Sequence, residues 1–233
     1  MIATIAAIRS LSPRVKEFVL QLPEAVRFTA GQFVVMTLEV DGEPIQRSYS
    51  IANESAEETN FLVLWIALNE AGRVTPRLFQ LCEGGQLEVS EPFGGFVLRD
   101  ASMDEEVVFV CTGTGVAPFR SMIHQRLQKQ NGSNVVLVMG NRHREDVLGH
   151  AEWLQLAAAE PRFQYMPVLS RPKETDDDML TGYVHAHYSD WVTKNPQIHV
   201  YVCGWDAMCK EARQRLKDLG LTRRQYFFEQ YDG

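Results

Sequence analysis

One segment has the residue types of a phosphate-binding loop: residues 111–118 read Cys-Thr-Gly-Thr-Gly-Val-Ala-Pro, after an apolar run and before a helix-like stretch. The glycines let backbone amides approach a diphosphate closely, and the first turn of a helix adds positive potential there. Proline at residue 118 suits a first helical turn. The segment therefore indicates a dinucleotide site, the alternative being a tight strand–helix turn that binds no ligand.

A second group of polar residues, Arg47-Ser48-Tyr49-Ser50, lies in a strand-like segment. Arginine binds phosphate in a bidentate manner, tyrosine offers a planar stacking surface, and serine is a small hydrogen-bond donor. Strand alternation places Arg47 and Tyr49 on one face and the serines on the other, so a bend or an edge position is needed for one ligand to meet all four. The alternative is an ordinary strand with an exposed arginine.

The chain changes character near residue 100. Before this point, short β-branched and aromatic runs alternate with turn signals, which predicts an antiparallel barrel or sandwich. These runs are Thr4–Ile8, Val15–Leu20, Gln32–Glu39, Ser48–Ala52, Phe61–Leu68 and Gln86–Ser90.

Beyond residue 100, apolar runs alternate with helix-like stretches, which predicts a doubly wound parallel sheet. The apolar runs are Val107–Cys111, Val135–Met139, Gln164–Leu169 and Ile198–Cys203, and the helical stretches are Pro118–Gln130, Asp146–Ala159 and Trp205–Leu219. The polar stretch Arg99–Glu105 between the halves predicts domains at 1–101 and 102–233.

Composition and spacing exclude several classes of protein. The 233 residues carry a net charge of −7, which argues against a protein that coats nucleic acid, since coating needs a basic face. No window approaches the roughly 18 apolar residues of a membrane span, and no signal-peptide pattern is present, so a soluble cytoplasmic protein is expected. The histidines and the four cysteines lack metal-ligand or iron–sulfur spacing, so we predict no metal site and expect reduced, buried thiols.

Taken together, five ordered blocks resemble the ferredoxin–NADP reductase superfamily of flavoproteins over nearly the whole chain. They read R-S-Y-S-I-A-N at 47–53, G-R-V-T at 72–75, E-P-F-G-G-F at 91–96, T-G-T-G-V-A-P at 112–118 and Y-V-C-G at 201–204. Three positions depart from the family pattern: Glu91 replaces a frequent glycine, Thr75 replaces a commoner serine, and Trp205 replaces the proline after C-G. For Trp205, packing against the adenine side of the nucleotide and capping of the last helix are both open.

The resemblance implies an N-terminal antiparallel Greek-key β-barrel for FAD and a C-terminal α/β domain for NADPH or NADH. The implied FAD-binding residues are Arg47, Ser48, Tyr49, Ser50, Gly72, Arg73, Val74 and Thr75. The implied nicotinamide-nucleotide residues are Thr112, Gly113, Thr114, Gly115, Ser170, Arg171, Cys203 and Gly204. Arg47 would neutralise an FAD phosphate, Tyr49 would lie against the isoalloxazine ring and Ser50 would hydrogen-bond near flavin N5. The Thr75 hydroxyl would contact the diphosphate, and Cys203 would lie near the reactive nicotinamide ring.

The last residues, Tyr226–Gly233, resemble the aromatic and acidic ending of many relatives. Glu229 matches an acid that approaches the nicotinamide, and it completes the implied catalytic set of Ser50, Cys203 and Glu229. Tyr231 would cover the flavin until nicotinamide displaces it. The alternative for Tyr231 is a plain terminal strand with a frayed end.

A preference for NADPH requires cations near its 2′-phosphate. Ser170-Arg171 match a Ser-Arg pair that the family places after the third strand of this domain, and further cations on the same rim are Lys173, Arg142 and Arg144. Relatives that use NADH often keep the pair, and four acids lie within residues 174–178. The sequence favours NADPH and leaves NADH open.

The absence of cysteines with iron–sulfur spacing bears on the electron acceptor. Without cluster cysteines, reduced flavin would pass single electrons to a separate carrier such as ferredoxin or flavodoxin. Two alternatives stay open: a flavin reductase that reduces free flavin, and a non-catalytic FAD-binding electron-transfer subunit of a larger complex. Such subunits usually carry cluster cysteines near the C-terminus, where this sequence has none. The sequence does not indicate an oligomeric state.

Overall fold

The computed structural model describes residues 1–55, 58–129, 132–174 and 176–231, and the chain separates into two units. The first unit consists of Met1–Val97 together with Ala117–Gln125, and the second consists of Leu98–Val116 together with Arg126–Gly233. The sequence-based boundary after residue 101 stays a prediction.

Alternating apolar and polar residues make the first unit a β structure. Among the described residues, six antiparallel strands form one sheet in the order β4-β3-β6-β1-β2-β5. They are β1 (Ile2–Ser12), β2 (Val15–Val26), β3 (Phe33–Val40), β4 (Glu43–Ser50), β5 (Thr59–Ala67) and β6 (Gln86–Val89). A short helix, α1 (Thr75–Leu78), lies between β5 and β6.

The sheet curls until its two outer strands meet. Ile51, just after β4, forms a bridge with Leu64 of β5, and the amide of Ala52 donates to the Val63 carbonyl at 2.8 Å. Side chains on the concave face, such as Phe18 and Leu20, are fully buried and form the core. The predicted antiparallel barrel is confirmed as this curled sheet, and burial of its concave face is the main stabilising contribution.

The second unit contains a parallel sheet in the order β10-β9-β8-β7-β11-β12, counted over the residues that the structure describes. Its strands are β7 (Val107–Thr112), β8 (Val135–Asn141), β9 (Phe163–Leu169), β10 (Leu180–Thr181), β11 (His199–Trp205) and β12 (Tyr226–Tyr231). Its helices are α3 (His150–Ala159), α4 (Ser189–Lys194) and α5 (Asp206–Asp218). Central strands such as β7 are buried on both faces, which explains their continuous apolar sequence. The predicted doubly wound sheet is confirmed.

The strand order reverses between β7 and β11, because the chain first adds strands on one side of β7 and then on the other. In open parallel sheets, ligands bind outside the carboxyl ends of the strands at this switch point. The residues that follow β7 and end β11 are therefore placed for a ligand.

Helix α2 (Ala117–Leu127) follows β7 in the chain and contributes Ala117–Gln125 to the first unit. The predicted end of this helix, Gln130, lies outside the described residues, as do the last two residues of the predicted C-terminal segment. No helix in the described part of the chain is long and apolar enough to cross a bilayer.

Candidate functional site

The end of β4 brings a cation and a neutral aromatic ring together in the first unit. Arg47 is exposed, and its guanidinium donates to the Gln46 carbonyl at 2.8 Å. Tyr49 is half-buried against the barrel core. Burial raises the pKa of Tyr49 to about 12, with the charge of Arg47 opposing the shift, so the phenol stays protonated at neutral pH. Ser48 is exposed, whereas Ser50, the last residue of β4, is buried. Strand alternation places both serines on one face, so it does not account for this difference.

The segment from Gly72 to Thr75 forms a tight loop at the start of α1. The Thr75 hydroxyl accepts a hydrogen bond from the Asn69 amide at 2.8 Å and donates to the Asn69 carbonyl at 3.1 Å. The Gly72 amide also donates to that carbonyl, at 3.0 Å. The Thr75 hydroxyl therefore closes the loop from residue 69 to 75, and its contact with a diphosphate stays a prediction. Sequence reasoning missed Asn69, because only the folded loop shows its partner.

The side chain of Arg73 ties this loop to the turn before β4. Its guanidinium lies 3.1 Å from the Glu43 carboxylate and 3.8 Å from that of Asp41. The Arg73 charge is thus paired within the first unit, and the predicted role of residues 72–75 in binding FAD stays a prediction. An exposed arginine, a neutral tyrosine ring and a helix-starting loop fit the phosphate and aromatic parts of FAD.

Sequence reasoning also missed Arg120 of α2, which holds the segment after Ser50. Its guanidinium donates to the Ala52 carbonyl at 2.9 Å and to the Glu54 carboxylate at 2.6 Å, and it lies over the Trp65 ring. The only signal in the sequence for a role of Arg120 is its position in α2, the helix that follows the glycine-containing segment 111–118. This arginine stabilises the backbone that follows the Arg47–Ser50 segment.

In the second unit, the loop after β7 turns sharply at the switch point. Residues Gly113–Val116 form a single 3₁₀ turn, and Gly113 has a φ of 55°, in the left-handed region that favours glycine. A Cβ at Gly115 would lie 2.3 Å from the Cys203 carbonyl oxygen. Glycine at position 115 therefore allows the loop to lie directly on the end of β11. Thr112, which ends β7, and Thr114, in the turn itself, are placed at the same end of the sheet.

The ends of β7 and β11 are joined at Thr112. The Trp205 amide donates to the Thr112 hydroxyl at 3.4 Å, and a Cβ at Gly204 would lie 2.3 Å from that hydroxyl. Trp205 itself precedes the first residue of α5, makes no side-chain capping bond there, and leaves 59% of its surface exposed. An exposed indole beside the switch point offers a stacking surface for a planar ligand.

Four residues singled out from the sequence lie in two neighbouring pairs across β11 and β12. The register pairs Cys203 with Glu229 and Trp205 with Tyr231. Burial raises the pKa of the Cys203 thiol well above its usual value, the Glu229 charge adds to this, and a hydrogen bond from Tyr231 opposes it. Cys203 is therefore a neutral thiol and not a nucleophile. Contrary to expectation, Cys82 is exposed, because it lies in the turn before β6.

The loops after β8 and β9 form a rim on the other side of the switch point. Ser170 and Arg171 donate their amides to the carbonyls of Asn141 and Arg142, each at 3.0 Å. His143 also contacts this rim, through Nδ1 at 3.0 Å from the Arg171 carbonyl oxygen. Sequence reasoning gave His143 no role, although its position next to Arg142 could have indicated one. No group of three metal-binding side chains occurs within the described ranges.

Two family models match the two halves of the chain. The oxidoreductase FAD-binding domain covers residues 3–98, and the oxidoreductase NAD-binding domain covers residues 109–214. These ranges contain the Arg47–Ser50 segment and the loop after β7, respectively.

Curated relatives and solved structures agree with these models. Ferredoxin–NADP reductase B of Sorangium cellulosum is 32% identical over 239 residues, which cover 99% of this chain and 97% of the relative. The phenol hydroxylase P5 protein of Acinetobacter pittii is 32% identical over 233 residues; the match covers 98% of this chain but only 65% of that relative. The Amycolatopsis cytochrome P450 reductase GcoB is a structural match with a TM-score of 0.87 and 27% identity, covering 98% of this chain and 68% of that one. The chain therefore belongs to the ferredoxin–NADP reductase family of FAD- and NAD(P)-dependent oxidoreductases.

Proposed function

We propose that this protein oxidises NAD(P)H with a tightly held FAD and passes single electrons to a ferredoxin- or flavodoxin-like carrier. The observation that supports this most is that each unit carries its own nucleotide-binding features. The first has Arg47 beside Tyr49 and the closed loop before α1, and the second has the glycine turn at the switch point.

When bound, FAD supplies the electron chemistry: it accepts a hydride from the nicotinamide and releases electrons one at a time. The protein holds and orients the two nucleotides. Arg47 neutralises phosphate charge, Tyr49 provides a neutral face for the ring system, and Ser50 donates a hydrogen bond to it. In the second unit, Thr112 and Gly113–Gly115 bind the nicotinamide nucleotide through backbone and hydroxyl groups.

Cys203 and Glu229 act at the nicotinamide. A protonated thiol beside the ring excludes water without adding charge, and the carboxylate stabilises the positive charge that the ring gains when it is oxidised. We propose NADPH as the preferred nucleotide, since Arg142, Ser170 and Arg171 form one rim.

The carrier is proposed from the relatives. One is named a ferredoxin–NADP reductase and another a phenol hydroxylase protein, and both names point to a protein acceptor. The match spans 65% of the length of the latter relative.

Two measurements on the purified protein test the proposal. FAD is expected to stay bound through gel filtration, and NADPH oxidation is expected to run faster with ferredoxin or flavodoxin than with free FMN or FAD. Loss of the flavin on the column, together with fast reduction of free flavin, would instead identify a flavin reductase. Bound flavin without any NAD(P)H oxidation would identify a passive subunit.

A further inference from the structure

The loops after β8 and β9 are linked so that one histidine and two arginines share a surface. The Arg171 amide binds the Arg142 carbonyl, and the Arg171 carbonyl is bound in turn by His143 Nδ1, both at 3.0 Å. Arg142 and Arg171 are exposed, and His143 is half-exposed. We refer to Arg142, His143, Ser170 and Arg171 as the rim cluster.

The other cations of these loops are already paired. Arg144 lies 2.9 Å from the Asp176 carboxylate and also contacts Asp178. Lys173 lies 3.4 Å from the Glu145 carboxylate. Their charges are compensated within the loops, so the rim cluster is the part of this edge best able to bind an added anion.

The contact of His143 with a carbonyl fixes its tautomer. A carbonyl oxygen only accepts hydrogen bonds, so Nδ1 carries the proton. In the neutral ring, Nε2 is then an acceptor, which cannot donate to a phosphate oxygen. Protonation turns Nε2 into a charged donor, and imidazole is the side chain that changes charge near neutral pH.

Both loops that meet at His143 carry charged residues of either sign. On the loop after β8 they are Arg142, Arg144, Glu145 and Asp146, and on the loop after β9 they are Arg171, Lys173, Glu174, Asp176, Asp177 and Asp178. A backbone hydrogen bond lowers the pKa of the Glu145 carboxyl most, and Lys173 and His143 lower it further. Glu145 is thus a negatively charged residue on the same loop as His143.

In doubly wound domains, residues just after the second strand contact the 2′-position of the adenosine ribose. Here these residues are Arg142 and His143, after β8, the strand next to β7. We propose that His143 selects NADPH over NADH by taking up a proton and donating Nε2–H to the 2′-phosphate. The inference rests on the proposed function, because it requires a nicotinamide nucleotide at the switch point.

The test uses adenosine 2′,5′-bisphosphate and 5′-AMP as probes, titrated calorimetrically into the FAD-loaded protein in buffers of different ionisation enthalpy. The bisphosphate is expected to bind about fivefold to tenfold tighter near pH 6 than near pH 8.5, with net proton uptake. AMP, which lacks the 2′-phosphate, is expected to show no such change.

Two variants make the test specific. His143→Asn keeps an N–H donor for the Arg171 carbonyl but removes Nε2, so the pH dependence and the proton uptake should vanish. His187→Asn is the matched control, since His187 contacts the Thr181 carbonyl instead and should leave both intact.

Three results would overturn the proposal: no bisphosphate binding at either pH, wild-type binding that is independent of pH, or an H143N variant that keeps the dependence. The hydride-transfer proposal fails separately. Bisphosphate binding that depends on pH, without flavin reduction by NADPH, would refute electron transfer and still support the assignment of His143.

Discussion

Arg47 and Tyr49 are two residues apart on β4, so one face of a single strand carries both a phosphate-binding charge and a neutral ring. The sequence predicts this pairing from strand alternation alone. It does not predict that Thr75 binds Asn69 or that His143 binds the Arg171 carbonyl, because those partners depend on how loops close. At the residue scale, strand residues are therefore predictable and loop partners are not.

Replacing Arg47 with alanine should weaken FAD binding without unfolding the protein. A charge-assisted hydrogen bond contributes about 1.5–3 kcal/mol, so we expect a loss of affinity of about 10- to 100-fold, measured by fluorescence titration of the apoprotein with FAD. Arg27→Ala is the matched control, since Arg27 is an exposed arginine of the same unit that pairs with Glu58 at 2.7 Å. Equal FAD affinity of R47A and wild type would refute the role of Arg47.

The cysteines differ sharply in accessibility, and alkylation should report this. Iodoacetamide near pH 8 should label the exposed Cys82 and leave Cys203 unmodified, because burial raises the pKa of the Cys203 thiol and blocks access to it. Mass spectrometry of the native protein checks the result, with the denatured protein as the control for full labelling. Rapid labelling of Cys203 in the native protein would contradict the neutral, buried thiol.

At the scale of elements, apolar periodicity predicts the strands and helices but misplaces some ends. Helix α3 begins at His150 and not at the predicted Asp146, because residues 144–146 form a separate 3₁₀ turn and Gly149 has a left-handed φ of 67°. The switch point between β7 and β11 depends on the order of strands in the sheet, which cannot be read from a single sequence. The loop after β7 packs closely on the end of β11, and this packing requires glycine at position 115.

Gly115→Ala tests the packing of the loop after β7 against β11. The new Cβ would lie 2.3 Å from the Cys203 carbonyl oxygen, so the loop or the strand must shift. We expect a loss of about 1–3 kcal/mol in the free energy of unfolding and weaker NADPH binding. Gly95→Ala is the control, because no atom lies within 4 Å of the position that its Cβ would take, and its stability should change by less than about 1 kcal/mol. Similar stabilities of the two variants would contradict this packing.

Helix α5 is held against β11 and β12 partly through Cys209, whose thiol contacts the carbonyls of Gly204 and Glu229 at 3.6 Å. Burial raises the pKa of Cys209 to about 11, with Asp206 adding to the shift. Because the folded pKa is raised, this contribution to stability is complete below the unfolded pKa of about 8.5 and is lost as the pH rises towards 11.

Denaturant unfolding of the wild type should therefore show a free energy of unfolding that falls between about pH 8.5 and pH 11. Cys209→Ala should show a shallower fall, whatever its stability at neutral pH, and Cys82→Ala should follow the wild type because Cys82 is exposed. Identical pH slopes for C209A and wild type would exclude a linked ionisation at Cys209.

At the scale of the whole molecule, the change of pattern near residue 100 predicts a β-barrel followed by a parallel α/β sheet, and both are confirmed. Local sequence does not predict that Ala117–Gln125 groups with the first unit, since such grouping depends on contacts across the chain. The ordered blocks predict the family, and the matches to FAD- and NAD-binding domains confirm it. These matches do not identify the electron acceptor, so the acceptor stays a proposal.

Transfer of a hydride from NADPH to FAD can be measured by anaerobic titration of the FAD-loaded protein with NADPH, followed through the visible absorbance of the flavin. We expect complete bleaching at about one NADPH per FAD, since one hydride carries both electrons. Flavin that stays oxidised in the presence of excess NADPH and NADH would contradict the proposed oxidoreductase activity.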